Sequence, residues 1–546
     1  MSTLVLPDVT ERLRRAVDLA AMRALGDQDR DPSSPTYGCF DRRYWAWKLV
    51  DFPEATFQRH VYPLALLLRD PASRLHDRAD VFEAVEAGLR FAVRIQHRNG
   101  SFDQAFPFEQ SWGATAFLLQ PLVAAFECIR AAGGRDLDRI ALRLSASAAF
   151  LRTTQERHGR ITNHLAGGAH ALLAAGAALA DPPAAAAGAA LVAEILASQS
   201  PEGWFPEYDG ADPGYQTLCV HYLAEIAALN RTADLMRGLE RAVDFLQWFV
   251  HPDGTLGGLY GSRRTRVAYP GGLAILSKEF PAAAAMTRAL MAAAADDRSV
   301  SVQTVDAGNL APLLTSVVRA LSVDPAPSGY ALPCDRPSAA ADFPDAGLHV
   351  RSTASAYAVV GARNGGTLTV FDRASKQCLR DDGGYVADLS DGRRITSQVT
   401  GPHRVTAEAG AISVDATFAA MPRPVPTPAR FLALRLLNLT LMRSLSIGNA
   451  IKRMLVAVLI APQAPVPLSV QRRVVFGTRI TVTDRFDNAA GLTVTSIRGG
   501  FPFVSVHMAS AGYYDGAMLA SAHFAPVELD AEALTRNRSL EAAAEL

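Results

Sequence analysis

The sequence predicts two domains, an N-terminal incomplete (α/α) toroid followed by a C-terminal antiparallel β-sandwich. At 546 residues the chain is too long for one compact core. Residues 1–322 are rich in Ala and Leu at helical spacing, as in "VFEAVEAGLRFAVRIQ". From residue 345 onward, short alternating runs such as "GTLTVFD" stand between Gly, Asp and Asn turns, a pattern typical of a sandwich.

The helical half repeats one structural unit. Each unit closes a helix on a polar turn with glycine and continues into an extended aromatic or apolar piece. The four turns are "QHRNGSFDQ" from Gln96, "QERHGRITN" from Gln155, "QSPEGWFPEY" from Gln199 and "HPDGTLGGLYG" from His251. Self-similarity of this kind indicates repeated helical hairpins. We expect these hairpins to form a ring whose loops on one face line a central cleft.

Composition changes mark the domain boundaries. The proline-rich stretch "SVDPAPSGYALPCDRPSAAADFP" ends the helical pattern. We therefore predict a toroid at 1–322, a linker at 323–344, a sandwich at 345–530 and a helical tail at 531–546.

Charge and cysteine content exclude several classes of function. Lys+Arg and Asp+Glu number 54 each, and no long basic run is present, so nucleic acid is not an expected partner. An acidic ligand would have to be bound by a local basic cleft. The five cysteines are scattered and form no CxxC or Cys/His spacing. We therefore expect no disulfide framework, no metal site and no cofactor.

The N-terminal segment bears on location. "MSTLVLPDVTERLRRAVDLAAMRAL" has no basic region ahead of an apolar run, so it is interpreted as an amphipathic helix and not as an export signal. A cytoplasmic location is expected.

One apolar region, residues 431–461, allows two interpretations. Its sequence "FLALRLLNLTLMRSLSIGNAIKRMLVAVLIA" is interrupted by basic residues, and each uninterrupted piece is shorter than the ~20 residues of a membrane span. The segment can be a buried strand followed by a core helix. Alternatively, it is a basic amphipathic segment that makes peripheral contact with the inner membrane surface.

Three loops of the toroid contain residues suited to chemistry. The first is Asn163-His164 in "RITNHLAGGAHALL", where Asn163 can also simply cap a helix that begins at Leu165. The second holds Tyr215 in "EGWFPEYDGADPGYQTLCVHYLAEI", which can also be an amphipathic residue at a helix start. The third, "GGLYGSRRTRVAYPGG", contains Tyr260, Arg263 and Arg264 and can also be a plain basic loop. Arginine is well suited to binding carboxylates and sulfates.

Together these residues match the requirements of eliminative cleavage of a uronic-acid glycan. The reaction removes the C5 proton beside a carboxylate and expels the C4 oxygen. Asn163 and His164 would neutralise the carboxylate. Tyr215 would be the base if Arg263 or Arg264 lowers its pKa from the unperturbed ~10. Tyr215 or His164 would then protonate the leaving oxygen.

The same loops resemble those of a known family. "TNHLAGGAHALL", followed by "DGADPGYQTLCVHYL", resembles the heparinase II/III-like polysaccharide lyases and the related alginate lyases. The resemblance implies a toroid joined to a sandwich, carboxylate neutralisation by Asn163 and His164, and a base at Tyr215. The stretches "FPDAGLHVRSTASAYAVVGARNGG" and "DDGGYVADLSDGRRI" resemble the family's C-terminal domain. However, this domain lacks the "HxHxD" run of many relatives, and His403 in "VTGPHRV" is the nearest substitute.

Two aromatic-rich stretches favour a sugar cleft. "YGCFDRRYWAWKLVDF" contains Tyr44, and "QAFPFEQSWGA" contains Trp112. We predict that Tyr44, Trp112, Tyr260, Arg264 and His403 contact substrate. The expected partner is an acidic polysaccharide or oligosaccharide. Chains of this appearance resemble companions of glycan-assembly machinery, so we also expect a link to glycan assembly.

Two other functions remain open at this point. A glycoside hydrolase on the same ring would need a facing pair of carboxylates, with candidates at Asp103, Glu109, Glu207, Asp209 and Asp212. A glycan-binding or assembly protein would keep the cleft without the chemistry.

Overall fold

The N-terminal half is a ring of antiparallel helix pairs. The computed structural model describes residues 6–156, 161–208, 210–324, 329–421, 427–459, 464–501, 513–514, 516, 518 and 526–546. The helices of the ring are α1 (Leu6–Asp27), α2 (Arg42–Trp45), α3 (Val61–Arg69), α4 (Ala79–Ile95), α5 (Trp112–Ala131), α6 (Leu137–Thr153), α7 (Thr162–Ala178), α8 (Pro182–Ala197), α9 (Pro213–Leu229), α10 (Ala233–Leu246), α11 (Pro270–Leu276), α12 (Pro281–Ala295) and α13 (Ala307–Leu321). Short 3-10 turns span Ala55–His60 and Gln247–Phe249.

The polar turns between units share one construction. Gln96 donates from Nε2 to the carbonyl of Gly100 at 3.1 Å, and Gln199 donates in the same way to Gly203 at 3.0 Å. Both glycines have positive φ, +90° and +99°, and a Cβ at either would lie 2.1–2.2 Å from a carbonyl oxygen of the second helix that follows, α6 or α10. Only glycine fits that conformation and that approach. The corresponding turn after Gln155 includes residues 157–160, which lie outside the described residues.

Small residues allow α7 to approach α5 closely. A Cβ at Gly168 would lie 2.5 Å from the indole of Trp112, and one at Gly167 would lie 3.0 Å from the ring of Phe117. Close packing of α7 on α5 therefore requires the two glycines of the run "LAGGAH". It brings the start of α7 against α5 and so sets the position of Asn163 and His164.

The C-terminal half is a sandwich of two antiparallel sheets. The strands are β1 (Ala340–Phe343), β2 (Leu348–Ser352), β3 (Ala356–Gly361), β4 (Thr367–Asp372), β5 (Cys378–Asp382), β6 (Val386–Leu389), β7 (Arg394–Thr396), β8 (Arg404–Glu408), β9 (Ala411–Ala420), β10 (Pro465–Phe476), β11 (Ile480–Asp487), β12 (Val494–Gly499), β13 (Val527–Glu528) and β14 (Ser539–Glu545). One sheet has the order β1-β2-β3-β4-β5, and the other β13-β12-β6-β7-β9-β10-β11-β14 with β8 paired to β9. Apolar residues of β3 and β4 pack against those of β9, β10 and β11 between the sheets. The predicted fold class is confirmed.

The first sheet packs its other face on the ring. Val350, Tyr357 and Phe371 share one apolar cluster with Phe245 and Phe249 of the helical half. Burying aromatic side chains on both sides favours a fixed relation between the halves. The segment predicted as a linker, 323–344, is structured in part, since it contains a 3-10 turn at Pro333–Asp335 and the strand β1.

The C-terminal tail differs from its prediction. Helix α16 covers Ala531–Asn537, and β14 then pairs antiparallel with β11 from Ser539 to Glu545. The prediction of a helix throughout 531–546 was therefore wrong. Arg538 adopts the left-handed conformation at φ +59° between the two elements, which ends the helix and turns the chain back to the open sheet edge.

The described part of the apolar segment, residues 431–459, is helical and contains no strand. It forms α14 (Pro428–Leu439), a 3-10 turn (Leu441–Arg443) and α15 (Leu445–Leu459), inserted between the neighbouring strands β9 and β10. We call residues 428–459 the helical insert. Seven of its described large apolar side chains are exposed, so the interpretation as a buried strand and core helix was wrong.

Among the described residues, one helix is long and apolar enough to cross a membrane. This is α5, and 78% of its most apolar window is buried inside the protein. Its burial against α7 and the rest of the ring accounts for its apolar composition.

Candidate active site

Three loops of the ring converge at the start of α7 and α9. Thr162 donates its backbone N–H to the carbonyl of Pro206 at 3.2 Å, and Ser262 donates its own to Ala211 at 2.8 Å. The Ser262 hydroxyl also donates to the carbonyl of Glu207 at 3.1 Å. We call these loops, residues 161–164, 206–215 and 261–265, the cleft rim.

Asn163 is held by a buried carboxylate. Its Nδ2 donates to both oxygens of Glu207 at 2.8 Å, and its backbone N–H donates to Oε1 at 2.9 Å. Helix α7 already begins at Thr162, so Asn163 lies in its first turn. The alternative in which Asn163 caps a helix starting at Leu165 was therefore wrong.

Glu207 has an unusual proton affinity for a carboxyl group. It is 1% exposed, and burial raises its pKa from 4.5 to about 7, although Asn163 and Arg263 oppose that rise. Desolvation outweighs the hydrogen bonds from Asn163 and the positive charge of Arg263, so the net change in pKa is upward. Near neutral pH, Glu207 is therefore divided between its protonated and ionised forms.

His164 lies beside a second buried carboxylate. Its Nδ1 is 2.9 Å from Oε2 of Glu156, and its side chain is 28% exposed while that of Glu156 is 4% exposed. The imidazole packs edge-on against Phe117, with ring centroids 4.8 Å apart. Glu156 thus fixes the imidazole and leaves part of it open to solvent.

Asp212 fixes the backbones of the other two candidate residues. It caps α9 by accepting the backbone N–H of Tyr215 at 2.9 Å, and its second oxygen accepts that of Arg263 at 2.8 Å. A Cβ at Gly261 would lie 2.5 Å from that oxygen, so glycine leaves the carboxylate room. Burial raises the pKa of Asp212, while these N–H donors favour its ionised form.

The result is a cation stacked on a phenol. The guanidinium of Arg263 lies 5.0 Å from the ring centroid of Tyr215 and 4.4 Å from that of Tyr208. Tyr215 is half-buried at the edge of the core of the ring. The structure thus brings Asn163, Tyr215 and Arg263 into one rim, and the catalytic roles assigned to them stay predictions.

The rest of the arginine loop faces the sandwich. Arg264 is fully buried and donates from Nη2 to the carbonyl of Gln398 at 2.6 Å, and burial lowers its pKa to about 10. Arg266 pairs with Asp381 of β5. Asn364, after β3, donates to the carbonyls of residues 259, 260 and 261 at 2.8–3.0 Å. The sandwich therefore holds the loop that presents Arg263.

Three of the predicted substrate contacts were wrong because the side chains are buried. Arg264 points to the sandwich, as just described. Tyr260 is 2% exposed and its hydroxyl lies 2.9 Å from Nε2 of His251. Trp112 is 6% exposed and donates from Nε1 to the carbonyl of Leu151 at 3.2 Å, within the packing of α5 on α7. Trp112 is a core residue of a helix, whereas Tyr260 lies in a loop that is buried against the first sheet.

The other two predicted contacts are accessible. Tyr44 is half-buried in the short helix α2. His403 is half-buried, with Nε2 3.0 Å from the carbonyl of Val399, and it borders an open groove of about 600 Å³ on the second sheet together with Arg404 and Asp415. Their contact with substrate stays a prediction.

The carboxylates considered for a hydrolase mostly hold backbone. Asp103 accepts the N–H groups of residues 108 and 110 at 2.8–2.9 Å, and Glu109 those of residues 104 and 105 at 2.6–2.9 Å. Glu207 and Asp212 hold the rim as described, and Asp209 lies outside the described residues. The described candidate acids thus each accept backbone N–H groups.

Sequence reasoning missed the groups behind the rim. Glu156 was not singled out, and Glu207 was considered only as a hydrolase acid. Arg59 was also missed; its guanidinium lies 5.7 Å from the ring of Phe117, the ring that packs on His164. Glu207 and Arg59 meet residues far away in the chain, so no local pattern predicts them, whereas Glu156 lies only eight residues before His164. In the described part of the chain, no cluster of three or more His, Cys, Asp or Glu residues could hold a metal ion.

Two solved structures that share this architecture are polysaccharide lyases. Chondroitin AC lyase from Streptomyces coelicolor A3 superimposes with a TM-score of 0.54 at 12% identity, over 91% of this chain and 68% of the lyase. Xanthan lyase from Paenibacillus superimposes with a TM-score of 0.52 at 14% identity, over 91% of this chain and 47% of the lyase. The chain thus spans about half the length of the xanthan lyase. No family model and no curated protein matches the sequence. The fold that the lyase resemblance implied is confirmed: this chain has the toroid-and-sandwich fold of these two lyases.

Proposed function

We propose that the protein is a polysaccharide lyase that cleaves a uronic-acid glycan by β-elimination. The observation that carries the proposal is the stacking of Arg263 on Tyr215 at 5.0 Å, with both backbones held by Asp212. A fixed cation against a phenol stabilises the phenolate, and the phenolate is the form that can remove a proton.

His164 would contact the substrate carboxylate, because its side chain is 28% exposed, whereas Asn163 and Glu207 are each 1% exposed and would act from the buried side of the rim. The amide of Asn163 donates hydrogen bonds, and a protonated Glu207, with its pKa of about 7, would not repel an acid group. Neutralising the carboxylate stabilises the enolate that forms when C5 loses its proton. His164, oriented by Glu156, supplies a second polar group at the same helix start.

The elimination then requires two proton movements. The Tyr215 phenolate takes the C5 proton, and the C–H electron pair forms the C4–C5 double bond. The C4–O bond breaks with its electrons on the leaving oxygen. Tyr215, now protonated, or His164 returns a proton to that oxygen. No oxidant or reductant is needed.

The structural neighbours support an acidic glycan as substrate. The Streptomyces coelicolor lyase was solved in complex with chondroitin sulphate. At 12% identity this likeness concerns the fold, so the substrate class of the present chain rests on the rim.

Release of unsaturated product tests the proposal. Uronate glycans incubated with the protein should gain ultraviolet absorbance, because elimination leaves a conjugated double bond and hydrolysis does not. Tyr215→Phe should lower the rate about 10²–10⁴-fold, the range for loss of a general base. Tyr208→Phe is the matched control, since Arg263 also stacks on that ring, and it should keep most of the rate. Equal loss in both variants, or products without absorbance, would overturn the proposal.

One observation favours a second function, a non-catalytic glycan-binding protein. The Asn163 amide already donates both of its contacts to Glu207, so a substrate carboxylate must compete for it. Binding and turnover distinguish the two functions. A lyase with Tyr215→Phe keeps affinity and loses turnover, whereas a binding protein shows no turnover with either residue.

A further inference from the structure

The helical insert exposes large apolar side chains and buries a lysine. Among the described side chains of α14 and α15, six large apolar ones are 45–63% exposed: Phe431, Leu432, Leu436, Leu439, Ile447 and Met454. In the same helices Lys452 is only 7% exposed. A helix on a water-facing surface normally has the opposite arrangement.

The exposed apolar residues form a stripe on each helix. On α14 they include Leu432, Leu436 and Leu439, at spacing i, i+4 and i+7. On α15 they include Ile447 and Met454, at i and i+7. Residues at these spacings lie on one face of a helix. Each helix of the insert therefore turns an apolar face to the outside.

The insert is held on the ring by its cations. Lys452 donates from Nζ to the carbonyl of Glu109 at 2.5 Å and lies 5.5 Å from the ring of Phe106. Arg435 pairs with Asp51 at 3.0 Å. Burial lowers the pKa of Lys452, while the nearby carboxylates, including that of Glu109, oppose the change. These contacts hold the inner side of the insert, so the exposure of the leucines follows from the way it is docked.

Charge within the insert itself has a single sign, and the neighbouring Asp51, 58% exposed, is paired with Arg435. Residues 428–459 contain five Arg or Lys and no Asp or Glu. Of these, Arg430, Arg443 and Arg453 are exposed. The loop that contains Asp51 adds two exposed apolar residues, Trp47 at 66% and Leu49 at 77%.

We propose that the helical insert docks on an anionic lipid surface. An exposed apolar stripe next to cations, on helices that carry no acidic residue of their own, is the pattern of an interfacial helix. Each cation near such a surface adds to binding, and aromatic residues such as Trp47 and Phe431 are favoured at the lipid–water boundary. Protein partners with an apolar groove would not by themselves account for the absence of acidic residues.

Sedimentation of the full chain with lipid vesicles tests this proposal. The chain should sediment with vesicles containing phosphatidylglycerol and much less with phosphatidylcholine alone, and added salt should weaken binding. Leu432→Ser combined with Leu436→Ser should lower vesicle binding roughly tenfold or more, since each burial of a leucine contributes. Leu142→Ser with Leu229→Ser is the matched control, because these leucines are 71% and 66% exposed on the ring. The control pair should bind like the original chain.

Charge variants keep the test decisive if the serine pair fails to fold. Arg430→Glu with Arg453→Glu leaves the apolar stripe intact and should lower binding to anionic vesicles roughly tenfold or more. Absence of sedimentation with anionic vesicles would overturn the proposal. Equal binding by all variants would also overturn it. Concentration-dependent self-association that the serine pair abolishes, without vesicle binding, would assign the surface to a second copy of the chain and not to lipid.

Discussion

The cleft rim and the helical insert differ in which side chains they bury and which they expose. In the rim, Glu207 and Asp212 lie inside the protein and accept several N–H groups each. In the insert, Lys452 points inward to a carbonyl and the leucines point outward. Buried charge needs fixed partners, and exposed apolar surface needs a partner from elsewhere. The buried carboxylates of the rim thus find hydrogen-bond donors within this chain, whereas the apolar side chains of the insert remain exposed.

Among the variants that test this difference, Asp212→Ala should lower the free energy of unfolding most. The change leaves the backbone N–H groups of Tyr215 and Arg263 buried without their acceptor, at about 1–3 kcal/mol each. We expect a loss of roughly 3–5 kcal/mol in the free energy of unfolding, measured by urea denaturation, together with loss of the proposed lyase activity.

Asp181→Ala is the matched control for that change. Asp181 also caps a helix ahead of a proline, but it accepts one backbone N–H, that of Ala184 at 3.0 Å. Its loss should cost about 1 kcal/mol. If Asp212→Ala costs no more than Asp181→Ala, the rim is not held by its buried carboxylate.

A second effect should appear in the pH dependence of stability. The pKa of Glu207 is raised in the folded protein from 4.5 to about 7, so the folded state favours the protonated form. The stability due to this group is present below pH 4.5 and is lost as the pH rises through 7. The shift corresponds to a loss on the order of 3 kcal/mol, and Glu207→Gln should abolish this part of the pH dependence.

Glu225 is the control, because its pKa is shifted in the opposite direction from that of Glu207. It is buried as well, but Arg319 donates to both of its oxygens at 2.6 Å and its pKa is lowered. Its contribution should be present above the unfolded pKa of about 4.3 and be lost at lower pH. Unfolding free energies measured between pH 5 and 8 should therefore change with Glu207→Gln and stay parallel to those of the original chain with Glu225→Gln.

The architecture was predictable because its signals are local. Helical spacing, alternating strands and the repeated glycine turns each lie within a few residues, and the glycines at 100 and 203 have the positive φ that such turns require. The candidate rim was found in the same way, since Asn163, Tyr215 and Arg263 stand at helix starts or in glycine-rich loops.

What could not be predicted depends on contacts distant in sequence. Arg264 and Arg263 are neighbours in a basic loop, yet Arg264 is buried on the sandwich because Gln398 accepts from it. The tail becomes a strand because β11 offers an open edge. Trp112 is a core residue because Gly168 leaves room for its indole. Apolar composition alone did not tell the exposed helices of the insert from a buried strand.

Lys452→Met should lower the local stability of the insert moderately and leave that of the rest of the chain unchanged. The ammonium donates to the Glu109 carbonyl at 2.5 Å, and hydrogen bonds to charged groups contribute about 1.5–3 kcal/mol. Amide hydrogen exchange in α15 should accelerate accordingly, while exchange in the rim stays the same. Arg453→Met, the exposed neighbour, should leave both unchanged. Faster exchange throughout the chain would mean that the insert is part of the general core.

The smallest effect should come from the outer face of the insert itself. Leu432 is 63% exposed, so Leu432→Ser removes little contact and should change the free energy of unfolding by about 0.5 kcal/mol or less in lipid-free buffer. Met442, in the turn between the two helices, is 1% exposed, and Met442→Ala should cost about 2–5 kcal/mol. Hydrogen exchange of the insert amides and urea unfolding measure both changes. A cost for Leu432→Ser as large as that for Met442→Ala would mean that the leucine is packed against the protein, and the apolar face would then not be free to meet a lipid surface.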